Sequence, residues 1–171
     1  MRKRTVVGVV LILSAVGWAQ TSPPSVTFYR ASDLRKAIAT APEQPGQPGL
    51  FALRLSSPSD PEVVGIRRTT AARSELHANI TDVWYVIDGN ATLVTGGTME
   101  DGIETTSGEI RGHRLVGGQS RDIKKGDYAV IPAGIPHWIS KVAGKDFLYI
   151  VVKVPVATTS LRRSSRFTPT N

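Results

Sequence analysis

From Leu50 onward, apolar and polar residues alternate in short runs broken by glycine, proline, asparagine or aspartate. That is the pattern of β-strands joined by tight turns. Runs at 51–56, 63–71, 83–87 and 91–95 predict four strands, with Asp88-Gly89-Asn90 and Gly96-Gly97 as the turns between and after the last two. Runs at 110–115, 128–131, 138–142 and 147–154 predict four more, punctuated by Gly117-Gly118, Lys125-Gly126-Asp127 and Pro132-Ala133-Gly134. Strands at such regular spacing predict an all-β sandwich or barrel, here a six- to eight-stranded antiparallel one. Before Leu50 the period changes. Ser32 stands where a helix N-cap belongs, and Leu34, Ala37 and Ile38 follow at helical spacing, which predicts one short N-terminal helix over 33–40, packed outside the barrel. The stretch 42–49 holds three prolines and two glycines and ends that helix in a loop.

The two ends of the chain follow neither period. Arg2, Lys3 and Arg4 precede an apolar stretch over 5–16, and Gly17-Trp18-Ala19 is a small-x-small cleavage site, so residues 1–19 read as a signal peptide cut after Ala19. The competing reading is a retained anchor, but the apolar run falls short of the roughly 20 residues a spanning helix needs. The chain then divides into a linker and helix over 20–49, a barrel over 50–155 and a polar, arginine-containing tail over 156–171. A secreted or periplasmic protein without a stable membrane anchor is expected.

Composition narrows the function classes. The 171 residues include 16 glycines and 11 prolines, which favours turns over a helical bundle. Loss of the three leader cations lowers the formal charge from +7 to +4, and Arg162, Arg163 and Arg166 in the tail carry part of the remainder. A short terminal cluster is not the basic face with interleaved aromatics that nucleic-acid binding needs, so no nucleic-acid partner is expected. Cysteine is absent, which removes disulfides and thiol catalysis. Ser74 and Ser107 lack a Gly-x-Ser-x-Gly context, so serine hydrolysis has no support either.

The chemistry concentrates on two of the three histidines. Gly126, five residues, Pro132, one residue, Gly134, two residues and His137 form a strand-turn-strand unit in which glycine and proline fix the direction from which His137 enters the barrel. This unit closely resembles the second conserved motif of the cupin superfamily. The first motif of that family has two histidines separated by one residue, an acidic residue a few positions on, and a glycine seven beyond it. The sequence His77-Ala78-Asn79-Ile80-Thr81-Asp82 resembles it, and the spacing from Asp82 to Gly89 agrees. Asn79 takes the place of the second histidine, aspartate stands for glutamate, and the gap between Asn79 and Asp82 is one residue short. The resemblance covers residues 71–154 and implies an antiparallel cupin-type β-barrel, or jelly roll, with a small-molecule pocket.

It further implies that His77, Asp82 and His137 converge as ligands of a divalent transition metal, iron, manganese, nickel or zinc, with Asn79 as a weak additional oxygen. On a strand, residues two apart share a face, so His77 and Asn79 are expected to point inward together. The alternative is a non-catalytic pocket in which the same residues hydrogen-bond a small molecule without metal. Lys141, four residues after His137, admits two readings: a contact to an anionic substrate, for which it and Asn79 are candidates, or a side chain reaching solvent. His113 matches neither motif and reads as a surface residue. Because cupins include oxygenases, isomerases, lyases, sugar-binding and storage proteins, the fold does not select a reaction. A homodimer through exposed strand edges is a third, structural reading.

Overall fold

The computed structural model describes residues 26–156; the expected signal peptide with its cleavage point, and the tail beyond Val156, lie outside the described residues. One helix, α1 (Ala31–Ala39), precedes eleven strands. These are β1 (Leu50–Arg54), β2 (Val63–Arg68), β3 (Ser74–His77), β4 (Ile80–Thr95), β5 (Thr98–Met99), β6 (Ile103–Thr106), β7 (Glu109–Gly112), β8 (Leu115–Val116), β9 (Gln119–Lys124), β10 (Tyr128–Ile131) and β11 (His137–Pro155). Nine strands form one curled sheet in which every pairing is antiparallel, and β5 and β8 form a separate ribbon. Among the described residues no helix is long and apolar enough to cross a membrane.

The long strands β4 and β11 run against each other over nearly their whole lengths and form the spine of the barrel. Each was expected as two strands with a turn between. Asp88-Gly89-Asn90 does read as a turn, but pairing with β11 resumes on both sides of Gly89, with Asn90 opposite Ala143 and Asp88 opposite Leu148, and the register shift between those two absorbs the irregularity. Gly89 makes this close approach workable: its φ is +80°, and a Cβ there would stand 2.2 Å from the carbonyl oxygen of Asp146. Strands β5, β6 and β9 lie outside the expected runs, β6 and β9 being mostly polar, and β3 carries His77 as expected but ends there, short of Asn79. The helix begins at Ala31, so Ser32 lies inside the first turn rather than at the cap, and Arg30 occupies the cap position without a side-chain capping bond.

Alternation along β4 sends Asp82, Trp84 and Val86 inward and leaves Tyr85 exposed. Trp84 and Val86 join Leu93, Ile123, Ile131, Ile139, Phe147, Tyr149 and Val151 in the apolar core. Trp84 stacks at a tilt on Tyr149, ring centroids 4.8 Å apart, and Tyr149 in turn lies 4.9 Å from Phe147. Outside the sheet, Ile38 of α1 is fully buried over Gly65 of β2, where a Cβ would come within 2.6 Å of the isoleucine side chain. The helix thus seals the outer face of β2, and the polar residues gather on the opposite, inner face.

The two positive-φ glycines of the spine give a test of this account. Gly144 has φ +86°, but a Cβ added there would meet nothing within 4 Å, whereas one at Gly89 would meet backbone. Gly144→Ala is expected to cost only the left-handed backbone penalty of about 1–2 kcal/mol. Gly89→Ala adds overpacking and is expected to cost about 2–4 kcal/mol. Urea denaturation measures both, and equal losses would contradict the close approach.

Candidate metal centre

Cross-strand register assembles the polar cluster. On β3, Glu75 and His77 lie two residues apart and share a face. Glu75 is paired directly with His137 of β11 on one side and with Arg111 of β7 on the other. His77 faces Glu109 across the β3–β7 ladder, and Asp82 of β4 faces Lys153 of β11. Directly opposed residues bring their side chains close enough to interact, and four such pairs converge on one point of the barrel wall.

The ligand-capable atoms are close together. His77 Nε2 lies 3.4 Å from Asp82 Oδ2 and 3.7 Å from Glu75 Oε2. His137 Nε2 lies 3.7 Å from Asp82 Oδ2 and 4.0 Å from Glu75 Oε2. Atoms bonded at about 2.1 Å to a common cation stand roughly 3.0–3.4 Å apart, so the set is slightly wider than a closed coordination shell. Glu75, His77 and His137 satisfy the spacing of a three-residue metal cluster. His77, His137 and Asp82 are all buried, each with 2% relative exposure.

The outer nitrogens of both imidazoles are already committed. His77 Nδ1 lies 2.6 Å from Glu109 Oε2, and His137 Nδ1 lies 3.2 Å from the carbonyl oxygen of Ile135. A carboxylate and a carbonyl only accept, so in the neutral rings Nδ1 carries the proton and the Nε2 lone pair faces the cluster. Among the described residues, the buried His137 Nε2 has no hydrogen-bond partner. A buried lone pair with no donor opposite is costly unless something fills the gap, and two carboxylates beside it favour a cation. Edge contact with Trp84, 5.6 Å between centroids, fixes the ring further. The residues present therefore fit a divalent metal.

The charges of the cluster are set by its neighbours. Burial would raise the Asp82 carboxyl, but the adjacent His77 imidazole and the Lys153 ammonium outweigh burial and lower it to about 2. Burial also opposes ionisation of Glu75, and the guanidiniums of Arg111 and Arg68 hold it below the usual carboxylate range. Burial pushes His137 down and keeps it neutral. His77 is raised against its own burial, chiefly through Asp82. Lys153 Nζ stands 3.2 Å from both Asp82 Oδ1 and His77 Nε2, so one ammonium already occupies part of the space beside the ligands.

Of the residues singled out in the sequence, His77, Asp82 and His137 come together, and Glu75 joins them. Asn79 does not: β3 ends at His77, and Asn79 lies exposed in the bend before β4, so the partner on the same face is the residue two before His77 rather than two after it. With Glu75 in the first ligand position and His77 in the second, the gap before Asp82 is no longer short. Lys141 is exposed because a bulge between Ile139 and Lys141 breaks the alternation that would have aligned it with His137. It lines a separate surface hollow with Asn90, Thr92 and Asp122. His113 is exposed. Sequence reasoning missed Glu75, Glu109, Arg111 and Lys153; the one available signal was the alternation Glu75-x-His77 itself.

Asp82 generates a pH-dependent prediction. Its folded pKa lies below the ordinary 3.8, so its contribution is fully present above 3.8 and disappears as pH falls toward 2. Asp82→Asn is expected to lower the stability of chelator-treated protein at neutral pH by about 2 kcal/mol. The difference from the parent should close on acidification, as followed by urea denaturation at a series of pH values. A gap that persists unchanged in acid would assign the loss to packing.

No protein-family model and no curated protein matches this chain. Among solved structures, TT1209 from Thermus thermophilus aligns with a TM-score of 0.52 at 15% identity, covering 77% of this chain and 100% of that one. KdgF from Halomonas sp. aligns with a TM-score of 0.48 at 18% identity, covering 67% of this chain and 87% of that one. A Cupin 2 conserved barrel domain protein from Salinispora arenicola aligns at 0.43 and 20% identity, with coverages of 61% and 74%. At 15% identity the likeness to TT1209 is one of fold. With its curled, wholly antiparallel sheet and one short helix, the described chain has the fold of a cupin-type β-barrel.

Proposed function

We propose that this protein is an exported cupin-type barrel that holds a divalent transition metal on Glu75, His77, Asp82 and His137 and uses it to bind and activate a small polar molecule. The observation that carries the reading is the buried, unpartnered Nε2 of His137, aimed at two carboxylates and a second imidazole. Imidazole and carboxylate together suit iron, manganese, nickel or zinc. Such a metal supplies Lewis-acid polarisation of a bound oxygen, the chemistry on which oxygenase, isomerase and lyase reactions draw. The protein's own residues hold and orient: Glu109 and the Ile135 carbonyl fix the two rings, and the Trp84 indole donates to Asp82 Oδ2 at 3.3 Å. Glu75 and Asp82 also line a cavity of about 190 Å³, which gives a ligand access to the cluster.

Lys153 supports a second reading. Its ammonium, 3.2 Å from His77 Nε2 and from Asp82 Oδ1, is placed as an internal cation would be, and the pocket would then bind its ligand without metal. Export is supported by the basic, apolar and small-residue segments of 1–19.

Two measurements separate these readings, and a third tests export. Elemental analysis of protein purified without chelator is expected to give a stoichiometric divalent metal, lost in His137→Ala and reduced in Glu75→Gln; trace metal in all three would sink the metal reading. Lys153→Met removes a charge that opposes the metal and is expected to raise metal affinity by about tenfold or more, read by competition with a chromogenic chelator. An unchanged metal affinity, with loss of ligand-induced thermal stabilisation, would favour the metal-free pocket. N-terminal sequencing of the extracytoplasmic protein is expected to start at Gln20, and an intact Met1 there would contradict cleavage.

A further inference from the structure

A cavity of about 650 Å³ opens beside the cluster, and its wall carries Arg68, Arg73, Arg111 and Arg114 against a single carboxylate, Glu75. That volume suits a small molecule, since ligand pockets run from about 300 to 1,000 Å³. The four guanidiniums are not equally free. Arg114 is held by Glu100 through two bonds, Nε to Oε2 at 2.6 Å and Nη2 to Oε1 at 3.1 Å. Arg68 and Arg111 both turn to Glu75 Oε1, at 3.2 and 2.5 Å. Arg68 also donates from Nε to the Tyr149 hydroxyl at 3.1 Å, and Arg111 Nη2 stands 3.8 Å from Glu109. A guanidinium has five N–H donors, so both retain unfilled ones. Arg73 is exposed, and its side chain makes one long hydrogen bond, 3.4 Å to the Arg111 carbonyl, with no ion pair among the described residues.

Glu75 divides its two oxygens between the two neighbourhoods. Oε1 receives the arginines, and Oε2 faces His77 and His137. A molecule entering the cavity therefore meets the unanswered charge of Arg73 and the spare donors of Arg68 and Arg111 within one carboxylate's width of the candidate ligands. Planar guanidinium forks match carboxylate and phosphate oxygens two at a time, which neutral ligands do not exploit. Trp138 closes one side of the cavity, its indole locked by a 2.7 Å bond from Nε1 to the Ala72 carbonyl, and offers a rigid apolar wall to the organic part of a ligand.

We infer that this cavity recognises small organic oxyanions, carboxylates or phosphate esters, with Arg73, Arg68 and Arg111 taking the anionic group and Trp138 flanking its carbon skeleton. The inference builds on the reading of the cluster as a small-molecule site, and it supplies the substrate class; anion recognition itself needs no metal.

Isothermal titration calorimetry on the mature chain tests it, with benzoate and phenyl phosphate as the anionic probes, benzamide as the uncharged one, and metal content determined on the same samples. Both oxyanions share the recognised chemistry, and their relative affinities tell carboxylate from phosphate. The anions are expected to bind in the millimolar range and benzamide not to bind, with affinity falling as sodium chloride is raised. Arg73→Gln is expected to weaken anion binding on the order of tenfold and to leave metal content unchanged, because Arg73 touches no candidate ligand. Anion binding that depends on Arg73, in protein found to carry no metal as purified, would keep this inference, while that metal content would overturn the metal. Metal-loaded protein that binds benzamide as well as benzoate, or binds neither, or is indifferent to Arg73→Gln and to salt, would overturn the inference and leave the metal standing.

Discussion

The direct pairing of Glu75 with His137 on one side and Arg111 on the other is the constraint on which the rest of the inner wall depends. Side chains alternate along a strand, so a one-residue slip of β3 would turn both Glu75 and His77 to the opposite face. The register is held by β7, which pairs all four residues of β3 in sequence, and by the turn before β11, where Gly134 at φ +79° donates its amide to the carbonyl of His77. The same hydrogen bond ties the His137-bearing turn to the end of the His77-bearing strand. Two segments sixty residues apart in the sequence are thereby set against each other by backbone geometry, and the imidazoles come to rest with centroids 5.2 Å apart.

Burying this many charges is costly unless each is answered. Glu75, Asp82 and Glu109 are met by Arg68, Arg111 and Lys153, so the cluster is close to electrically balanced without any bound ion. The balance is nevertheless uneven in space. Arginines gather on Glu75 Oε1 and the lysine on Asp82 Oδ1, while the oxygens Glu75 Oε2 and Asp82 Oδ2 face the imidazoles. Each carboxylate thus keeps one oxygen turned to the histidines, next to the unpartnered Nε2 of His137. The cation that suits this gap is one that accepts nitrogen and oxygen ligands together. Arg73, which meets no carboxylate among the described residues, adds the positive charge that would draw an anion to the same place.

Much of the barrel was legible in the chain. The strand at Tyr128–Ile131, the Pro132 to Gly134 turn and the entry of His137 follow from local rules, because glycine and proline restrict the backbone regardless of what surrounds it. The merging of 83–87 with 91–95 into β4 was not legible, since Asp88-Gly89-Asn90 has turn chemistry and only the partner strand β11 decides that the chain runs on. In the site, the meeting of His77, Asp82 and His137 was what the cupin resemblance implied. The expected inward partner of His77 fell on its wrong side, at Asn79, because the end of β3 is set by pairing with β7 and leaves no local mark. Lys141 was displaced by a bulge, which sequence alternation does not reveal. Lys153 and Arg111 entered only through cross-strand register, a relation between residues far apart in sequence.

The claim at the centre is that Glu75, His77, Asp82 and His137 surround one divalent cation. X-ray absorption at the edge of the metal that copurifies with the chain tests it most directly. The account predicts nitrogen and oxygen neighbours at about 2.0–2.2 Å together with the outer-shell scattering of two imidazole rings, and loss of one ring's contribution in His137→Ala. A spectrum of oxygen neighbours alone, unchanged by that substitution, would place the metal elsewhere on the protein and contradict the assignment.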